Sequence, residues 1–370
     1  MKNIPLITFI FGTRPEAIKM APVIKLFGLS KKIKLRIILT GQHKEMVNQV
    51  MQLFDLREDL NINIMKKGQS LTYITRSVLE GLDEEFIKYR PSLLLVQGDT
   101  STAFSAALAA FYQKIPIGHI EAGLRTKDPY NPFPEETNRR LISQLASIHF
   151  APTELSKKNL IDCGAEGIIK VTGNTVIDAL QFTSSKVKKY TLEGFDYTKN
   201  RLILVTVHRR ENWANLIAIS NGLKKIVKEF PDVVIIFPMH INPIVRNPIK
   251  EVLDSNPRVF LTEPLDYYDF VSVLKTSTII ISDSGGIQEE APTFGKPLLI
   301  LRNNTERQEA IDNGVAKLVG TNPEKIFLET RNLLNNAKEY NSMSKKVNPF
   351  GDGKASQRIL DICNKFLNLK

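Results

Sequence analysis

Short apolar runs alternate with amphipathic segments along the first half of the chain. The runs predict buried strands, and they read PLITFI, LRIILT, LLLVQ and IGHIEA, with a further strand at 147–151. Helices are predicted between them at 15–28, 43–54, 101–113 and from Thr153 onward. Three prolines in the polar loop 125–136 exclude regular structure until a helix begins near Glu135. This alternation predicts a parallel sheet that is covered by helices on both faces.

The same alternation restarts after residue 200. The apolar runs of this second half read RLILVTV, VVIIF, RVFLT, TIIIS and PLLIL. We therefore predict an α/β protein made of two doubly wound, Rossmann-like domains. The boundary is expected near VTGNTVIDAL, so that the first domain is 1–174 and the second begins at 175. Because ligands of such sheets bind at the carboxyl ends of the strands, we expect a ligand in a cleft that the two domains face.

Composition limits the possible partners. With 370 residues, of which 42% are hydrophobic, the chain is long enough for two buried cores. The net charge of +11 would suit nucleic acid if the basic residues were clustered. They are scattered in short pairs, such as Lys31 and Lys32, without interleaved aromatic residues. Solvated lysine-rich faces explain this pattern, and we expect no nucleic-acid partner.

Cysteine use and the N-terminal sequence favour a cytoplasmic protein. Cys163 and Cys363 lie far apart, outside any pattern of metal ligands, as is typical of free thiols in a reducing compartment. The apolar run at 4–11 is too short to span a bilayer. Since charged residues follow at once, it predicts a buried strand instead of a signal peptide, and we expect no membrane association.

A possible anion site lies at SDSGGIQEE, residues 282–290. This stretch follows a predicted strand and turns through Ser284, Gly285 and Gly286 into a helix. Backbone N–H groups and the positive end of a helix dipole meet at such a turn, which favours phosphate or pyrophosphate. The alternative is a tight turn that binds nothing, and the motif by itself leaves both interpretations open.

A second turn of this kind is FGTRPEAIKMAP at 11–22. Gly12 makes the turn, and Arg14 and Lys19 flank the helix start, so two cations would supplement the backbone groups. The spacing matches neither GxGxxG nor GxxxxGKS, which excludes the common nucleotide fingerprints. A bare turn is again the alternative.

Three carboxylates follow predicted strands of the first domain. Asp99 ends a strand in QGDT, Glu121 ends one in HIEAGLRT, and Glu135 lies in PEETNRR near Arg139. Each has a structural alternative, because acidic residues cap helices and favour first turns. Three of them at strand ends facing one cleft favour acid/base chemistry instead.

The second domain offers a histidine beside arginines. His208 ends a strand in VTVHRREN next to Arg209, which suits contact with a phosphate oxygen; His240 also ends a strand. Further on, TERQE supplies Arg307, and EPLDYYDF at 263–270 supplies apolar and aromatic residues that could hold a base. The alternative for both is ordinary loop packing. No spacing of histidine and cysteine predicts a metal site.

Taken together, these strings resemble one family. GTRPEAIKMAPV, QGDTST, HIEAGLRT, PFPEETNRRL, VTGNTVIDAL, HRREN, SDSGGIQEEAP, TERQEA and GDGKAS occur in this order from residue 11 to about 358, and the series closely resembles the non-hydrolysing UDP-N-acetylglucosamine 2-epimerases. The resemblance implies the two-domain fold of GT-B glycosyltransferases, a homodimer, and no redox cofactor. It also implies that the C-terminal helix returns to the first domain, so we assign 355–370 to that domain and 175–354 to the second.

The resemblance further implies a role for each matching residue. UDP would be bound largely by the second domain. The implied UDP contacts are Ser284, Gly285 and Gly286 at the diphosphate, Glu290 at the ribose, Arg307 at the nucleotide, and Leu265 and Phe270 at the uracil. From the first domain, Arg14 and Lys19 would approach the substrate. The implied acid/base carboxylates are Asp99, Glu121 and Glu135, with Arg139 nearby, and His208 matches the family's essential histidine.

Bacterial members of this family are typically activated by a second UDP-N-acetylglucosamine molecule. The matching positions here are Gln42, His43, Arg209 and His240. Two positions depart from the pattern, since Gly68 stands where an arginine is expected and Glu45 where a glutamine is. These departures weaken the expectation of substrate activation.

The implied reaction is the reversible conversion of UDP-N-acetylglucosamine into UDP-N-acetylmannosamine. The proton on the second sugar carbon is not next to a carbonyl, so its direct removal would leave an unstabilised carbanion. Elimination of UDP avoids this, and it gives a 2-acetamidoglucal to which UDP adds back. Other interpretations stay open: epimerisation of a related sugar such as a UDP-diacetamido uronic acid, hydrolysis that releases UDP, glycosyl transfer, or a non-catalytic sensor.

Overall fold

The chain forms two compact units in a computed structural model. Unit 1 is Met1–Phe182 with Phe350–Lys370, and unit 2 is Thr183–Pro349. The structure describes residues 4–42, 44–66, 68–126, 128–191, 195–196, 199–345 and 347–369. Within these ranges, no helix combines the length and the apolarity that a membrane crossing requires.

Unit 1 contains a parallel sheet. Its strands in the described ranges are β1 (Leu6–Phe11), β2 (Lys34–Leu39), β3 (Leu60–Asn61), β4 (Leu93–Gln97), β5 (Ile117–Ile120), β6 (Ile148–Ala151) and β7 (Ile168–Val171). Their spatial order is β3-β2-β1-β4-β5-β6-β7, so the direction of winding reverses between β1 and β4. In a doubly wound sheet, this reversal leaves a crevice beyond the carboxyl ends of the two strands, where ligands bind.

Helices join the strands of unit 1. They are α1 (Arg14–Gly28), α2 (Lys44–Leu53), α3 (Leu71–Lys88), α4 (Ser101–Tyr112), α5 (Glu135–Leu145), α6 (Glu154–Asp162) and α7 (Thr175–Ser184). Threonine caps begin two of them, since Thr100 Oγ1 accepts the Ala103 amide and Thr153 Oγ1 accepts the Ser156 amide. On one face of the sheet, α3 and α4 bury apolar side chains against β1 and β4.

Unit 2 contains a second parallel sheet. In the part of the unit that is described, the strands are β8 (Arg201–Thr206), β9 (Val233–Pro238), β10 (Val259–Thr262), β11 (Ile279–Ser282), β12 (Leu298–Ile300) and β13 (Ala316–Leu318). Their order is β10-β9-β8-β11-β12-β13, which reverses between β8 and β11. The predicted α/β class with two doubly wound parallel sheets is thus confirmed.

The helices of unit 2 cover both faces of this sheet. They are α8 (Leu216–Glu229), α9 (Pro243–Leu253), α10 (Tyr267–Thr276), α11 (Gly285–Glu290), α12 (Gln308–Asp312), α13 (Pro323–Asn335) and α14 (Ala337–Ser344), with 3-10 helices at Arg210–Asn215 and Ala291–Phe294. The buried core lies mainly between α8, α9 and α13 and one face of the strands, which are rich in isoleucine and valine.

The last helix, α15 (Ala355–Phe366), belongs to unit 1. Its first turn is held by Asp178 of α7, whose carboxylate accepts the amides of Ala355 at 3.2 Å and Ser356 at 2.8 Å. These bonds keep most of α7 in unit 1, so the boundary lies after Phe182 instead of residue 174. The return to unit 1 begins at Phe350 instead of residue 355.

Candidate active site

The loop after β1 forms the first part of the site in unit 1. Gly12 is required there, because a Cβ added to it would lie 1.9 Å from Thr40 Oγ1. Glu16 Oε2 accepts the amides of Gly12 at 3.0 Å and Thr13 at 2.7 Å, and Glu16 Oε1 accepts the Thr100 hydroxyl. Burial raises the pKa of Glu16 even though these hydrogen bonds lower it. Glu16 therefore ties the loop after β1 to the start of α4, a role that the sequence did not indicate.

Asp99 lies between these loops, directly after β4. Its Oδ2 accepts a hydrogen bond from Arg139 Nη2 at 2.5 Å, and its backbone oxygen accepts Asn138 Nδ2 at 2.9 Å. Both partners lie on α5. The side chain of Arg139 is 5% exposed and that of Asp99 is 22% exposed. A buried guanidinium thus holds a carboxylate that remains open to a ligand.

Glu121 follows the neighbouring strand, β5. It adopts a left-handed backbone conformation with φ of 65°, which is costly for a residue with a side chain. Its Oε2 is paired with Lys19 Nζ and accepts Asn174 Nδ2 at 2.7 Å. Glu121 also lies beside the Asp99 loop, since a Cβ added to Gly98 would be 3.9 Å from Glu121 Oε1. The sequence assigned Lys19 to the substrate, whereas here its ammonium group contacts Glu121.

The remaining residues expected in unit 1 lie at helix starts. Arg14 is the first residue of α1 and Glu135 the first of α5, and both are partly buried. The next carboxylate, Glu136, is fully buried and has a structural role. It accepts the Thr126 amide at 2.9 Å and pairs with Arg140 at 2.6 Å. Glu136 thereby fastens the proline-rich loop to α5.

His119 is buried in β5 below these carboxylates. Its Nε2 lies 2.7 Å from the backbone oxygen of Gly98, so Nε2 carries the proton and donates. Burial lowers the pKa of His119 to about 3. The imidazole is therefore neutral in the folded protein and supports the loop that bears Asp99.

This burial predicts an acid-sensitive fold. The unfolded chain protonates His119 near pH 6.5, but the folded chain protonates it only near pH 3. The contribution of neutral His119 to stability is therefore fully present above about pH 6.5, and it is lost as the pH decreases toward 3. His119→Gln keeps a donor for Gly98 and removes the titration. Between about pH 6 and 4.5, the slope of unfolding free energy against pH should be smaller by about 1 kcal/mol per pH unit in the variant. Equal slopes in urea titrations would contradict this assignment.

In unit 2, His208 and Asp283 meet at the reversal point of the sheet. His208 follows β8 and Asp283 follows β11, and these strands pair with Thr206 opposite Ser282. His208 Nδ1 lies 3.1 Å from Asp283 Oδ1; the histidine side chain is 45% exposed, whereas that of Asp283 is fully buried. Asp283 lies in the SDSGGIQEE motif, but no role was predicted for it.

The turn after Asp283 is tightly packed. Ser284 precedes α11 with an extended backbone, and its amide donates to Ser282 Oγ at 2.9 Å. A Cβ added to Gly285 would lie 2.7 Å from Arg307 Nη1, whereas one added to Gly286 would meet only Ser284 Oγ, at 3.9 Å. Gly285 is thus needed for close packing, and Gly286 leaves its backbone accessible.

Arg307 belongs to a buried ionic network. Its Nε donates to Glu289 Oε1 at 2.7 Å and its Nη1 to Glu306 Oε1 at 2.6 Å. Arg302 Nη1 donates to the other oxygen of Glu306 at 2.8 Å. Burial would raise the pKa of Glu306, but the charges of Arg307, Arg302 and Arg209 outweigh it and hold that pKa far below its usual range. The predicted nucleotide contact is therefore anchored by two carboxylates.

The residues expected at ribose and uracil lie around α10. Glu290 is 6% exposed, and Tyr267 donates its hydroxyl to Glu290 Oε1 at 3.4 Å. Tyr267 is a contact that the sequence did not single out. Leu265 and Phe270 are both partly buried near the start of this helix.

The four candidates for an activator site are divided between the units. Gln42 is in unit 1, where its Oε1 accepts the Thr102 hydroxyl at 3.1 Å, and His43 is outside the described residues. In unit 2, Arg209 Nη2 lies 3.6 Å from Glu306 Oε1, and His240 Nδ1 accepts the Asn242 amide at 3.1 Å.

The departures from the activator pattern lie in unit 1. Glu45 is exposed in the first turn of α2, and Gly68 has a left-handed φ of 72° in the loop before α3.

Comparison with known proteins places the chain in a family. The family model described as UDP-N-acetylglucosamine 2-epimerase matches residues 28–364. The UDP-N-acetylglucosamine 2-epimerase of Campylobacter jejuni is 46% identical over 376 residues, covering 98% of this chain and 98% of the relative. That of Escherichia coli K12 is 44% identical over 362 residues, covering 95% and 96%. The crystal structure of the Neisseria meningitidis UDP-GlcNAc 2-epimerase bound to UDP-GlcNAc matches with a TM-score of 0.92 at 45% identity, covering 97% of this chain and 100% of that one.

Two parallel, doubly wound sheets, each with polar side chains at its reversal point, define a GT-B-like α/β protein. Within this class, the chain belongs to the UDP-N-acetylglucosamine 2-epimerase family. The resemblance drawn from the motifs is thereby confirmed.

Proposed function

We propose that this protein epimerises the second sugar carbon of UDP-N-acetylglucosamine, giving UDP-N-acetylmannosamine, by elimination and re-addition of UDP. One observation carries the proposal within the family. Asp99 and Glu121 follow adjacent strands, and each is held by a cation, Arg139 and Lys19 respectively. Inversion at carbon needs proton carriers for both faces of the sugar, and two fixed carboxylates meet this need. Glu135, at the start of α5, is the third candidate.

Unit 2 supplies the site for the leaving group in this proposal. Gly286 presents accessible backbone, and the partly exposed His208 can donate a hydrogen bond to a phosphate oxygen. Fixed donors of this kind stabilise negative charge as it develops on the diphosphate. Glu290 and Arg307 are assigned to the ribose and the nucleotide, with Leu265 and Phe270 against the uracil.

An elimination reaction requires both the carboxylates of unit 1 and the hydrogen-bond donors of unit 2. When the anomeric C–O bond breaks, its electron pair stays on the diphosphate and positive charge builds on the sugar ring. A carboxylate then takes the proton from the second carbon, and the C–H electron pair forms the double bond of a 2-acetamidoglucal. UDP adds back as a proton arrives on the opposite face, which gives the manno sugar. Net chemistry is an isomerisation, so no oxidant or reductant is consumed.

The test is an NMR time course of UDP-N-acetylglucosamine with the enzyme in deuterated water. We expect deuterium at the second carbon of both UDP-sugars, at a rate that accompanies epimerisation, with UDP retained as nucleotide sugar. Free N-acetylmannosamine and UDP as the main products would show a hydrolysing enzyme instead. Failure to convert the substrate, in the absence of any acceptor, would refute the proposal and favour a transferase or a sensor.

A further inference from the structure

Asp283 has a denser set of hydrogen bonds than a helix cap requires. Its two oxygens accept the His208 amide at 3.1 Å each, and Oδ2 also accepts the Arg209 amide at 3.0 Å and Asn212 Nδ2 at 3.0 Å. Oδ1 lies 3.1 Å from His208 Nδ1. The fully buried carboxylate therefore contacts both the backbone amide and the ring of His208.

We propose that Asp283 is a positioning residue that holds the proton of His208 on Nδ1, so that Nε2 is the ring nitrogen that faces the departing diphosphate. This inference rests on the proposed function for the identity of the leaving group. It goes beyond that function because it assigns the direction of the histidine's hydrogen bond and the residue that sets it.

The hydrogen-bond inventory requires this tautomer. Besides the His208 ring, Asp283 contacts the amides of His208 and Arg209 and Asn212 Nδ2, and all of these groups are donors. An ionised carboxylate only accepts, so the ring nitrogen that faces it must carry a proton. Burial would raise the pKa of Asp283, but the hydrogen bonds and charge of His208, with the Arg209 amide and Asn212, hold it below the ordinary value. His208 thus carries its proton on Nδ1, and Nε2 is the nitrogen left for a ligand.

Asp283 is distinguished from the other ionisable groups near His208. The basic groups nearby are Arg209, which is next in sequence, and His240. The proximity of His240 is evident from its own pKa, which is lowered first by burial and then by the charge of His208. Arg209 is partly neutralised by Glu306. Asp283 is the carboxylate in direct contact with the His208 ring, so it sets the orientation of that ring.

This arrangement gives His208 a role at the leaving group. As the anomeric C–O bond breaks, the electron pair passes to the diphosphate oxygen, and the imidazolium donates Nε2–H to that oxygen without losing its proton. Asp283 stays ionised throughout, as the carboxylate does in a Ser-His-Asp triad. The proton from the second carbon goes to a carboxylate of unit 1, so His208 takes no part in the proton exchange at carbon.

The first experiment observes the ring directly. The chain has 5 histidines, so 15N-labelled imidazole spectra are simple, and His208 is assigned by its loss in His208→Gln. In the wild type we expect the Nδ1–H tautomer at high pH. In Asp283→Asn the amide group can donate to Nδ1, so we expect the Nε2–H tautomer. A wild-type His208 with its proton on Nε2 overturns the proposal, even if the variant does not fold.

The second experiment is kinetic, and it tests whether Asp283 positions His208 or only supports the fold. Asp283→Asn should lower kcat by about 100-fold or more, with little change in UDP affinity. The comparison variant is Asn212→Leu, which removes another partner of Asp283 but leaves the contact with the ring. It should reduce thermal stability while keeping the His208 tautomer and most of kcat. Equal losses of kcat in both variants, with an unchanged tautomer, would contradict positioning.

The outcomes also separate this inference from the proposed function. If wild-type enzyme fails to exchange deuterium into UDP-N-acetylglucosamine, the proposed function fails. The tautomer of His208 is measured without substrate, so it tests the role of Asp283 in either case.

Discussion

Asp99→Asn is expected to lower epimerisation by about 1,000-fold or more while UDP binds nearly as well as to the wild type. The amide has the shape of the carboxylate but neither accepts nor delivers a proton, and general acid–base catalysis is worth about 100- to 10,000-fold. Its oxygen can still accept from Arg139, so the loop between β4 and α4 should keep its position. The measurements are kcat from the NMR time course and the Kd of UDP by calorimetry.

Asp162→Asn provides the control for this variant. Asp162 is an exposed carboxylate at the end of α6, in the same unit, and its substitution should leave kcat and Kd within about twofold. If Asp99→Asn loses UDP binding in parallel with turnover, Asp99 is a ligand contact and its acid/base role is wrong. The deuterium exchange rate offers a second readout, because loss of the proton carrier at one face of the sugar should suppress epimerisation, whereas the carboxylate at the other face can still exchange a proton there.

The fold was predictable because buried parallel strands have a simple signature. Each is a short apolar run, and a polar loop follows it, so most strands of both sheets and the residues at their ends could be identified. The edge strands β3, β7 and β13 were not predicted. The region between α2 and β4 was not predicted. It contains α3, whose buried Ile74, Val78, Leu82 and Phe86 recur every four residues, a helical signal that was present in the sequence.

Pairs formed between distant strands were harder to predict. Asp283 contacts His208 because β11 lies beside β8, and Glu16 contacts Thr100 because β4 lies beside β1. Both contacts depend on the order of strands in the sheet, which the local pattern of residues does not contain. Once a doubly wound order is assumed, the strands at each reversal point become neighbours, and the residues that follow them become candidates for contact.

The sequence also did not predict which groups the basic residues contact. Lys19 and Arg307 both lie in motifs that suggest an anionic ligand, and the resemblance assigns them to the substrate. In the structure, Lys19 contacts Glu121, and Arg307 contacts Glu289 and Glu306. Whether a cation is held by the protein's own carboxylates depends on distances of a few ångströms between separate loops.

Arg307→Leu is expected to destabilise unit 2 by about 3–5 kcal/mol, since it takes a guanidinium away from buried carboxylates. The side chain of Glu289 is fully buried and that of Glu306 is 5% exposed, so water replaces the lost hydrogen bonds poorly. Trp213, the single tryptophan of the chain, packs against the core of unit 2. Its fluorescence during urea unfolding therefore reports on this unit.

Arg331→Leu is the matched control for Arg307→Leu. Arg331 pairs with Glu229 at 3.0 Å, but its side chain is 51% exposed, and exposed pairs contribute about 1 kcal/mol or less. Arg307→Lys keeps the positive charge but lacks the planar guanidinium group, so it should have an intermediate effect on stability. If Arg307→Leu costs no more than Arg331→Leu, the network around Glu306 contributes nothing to the fold. Arg307 would then serve only the contact with the nucleotide, and its variants should differ in UDP affinity alone.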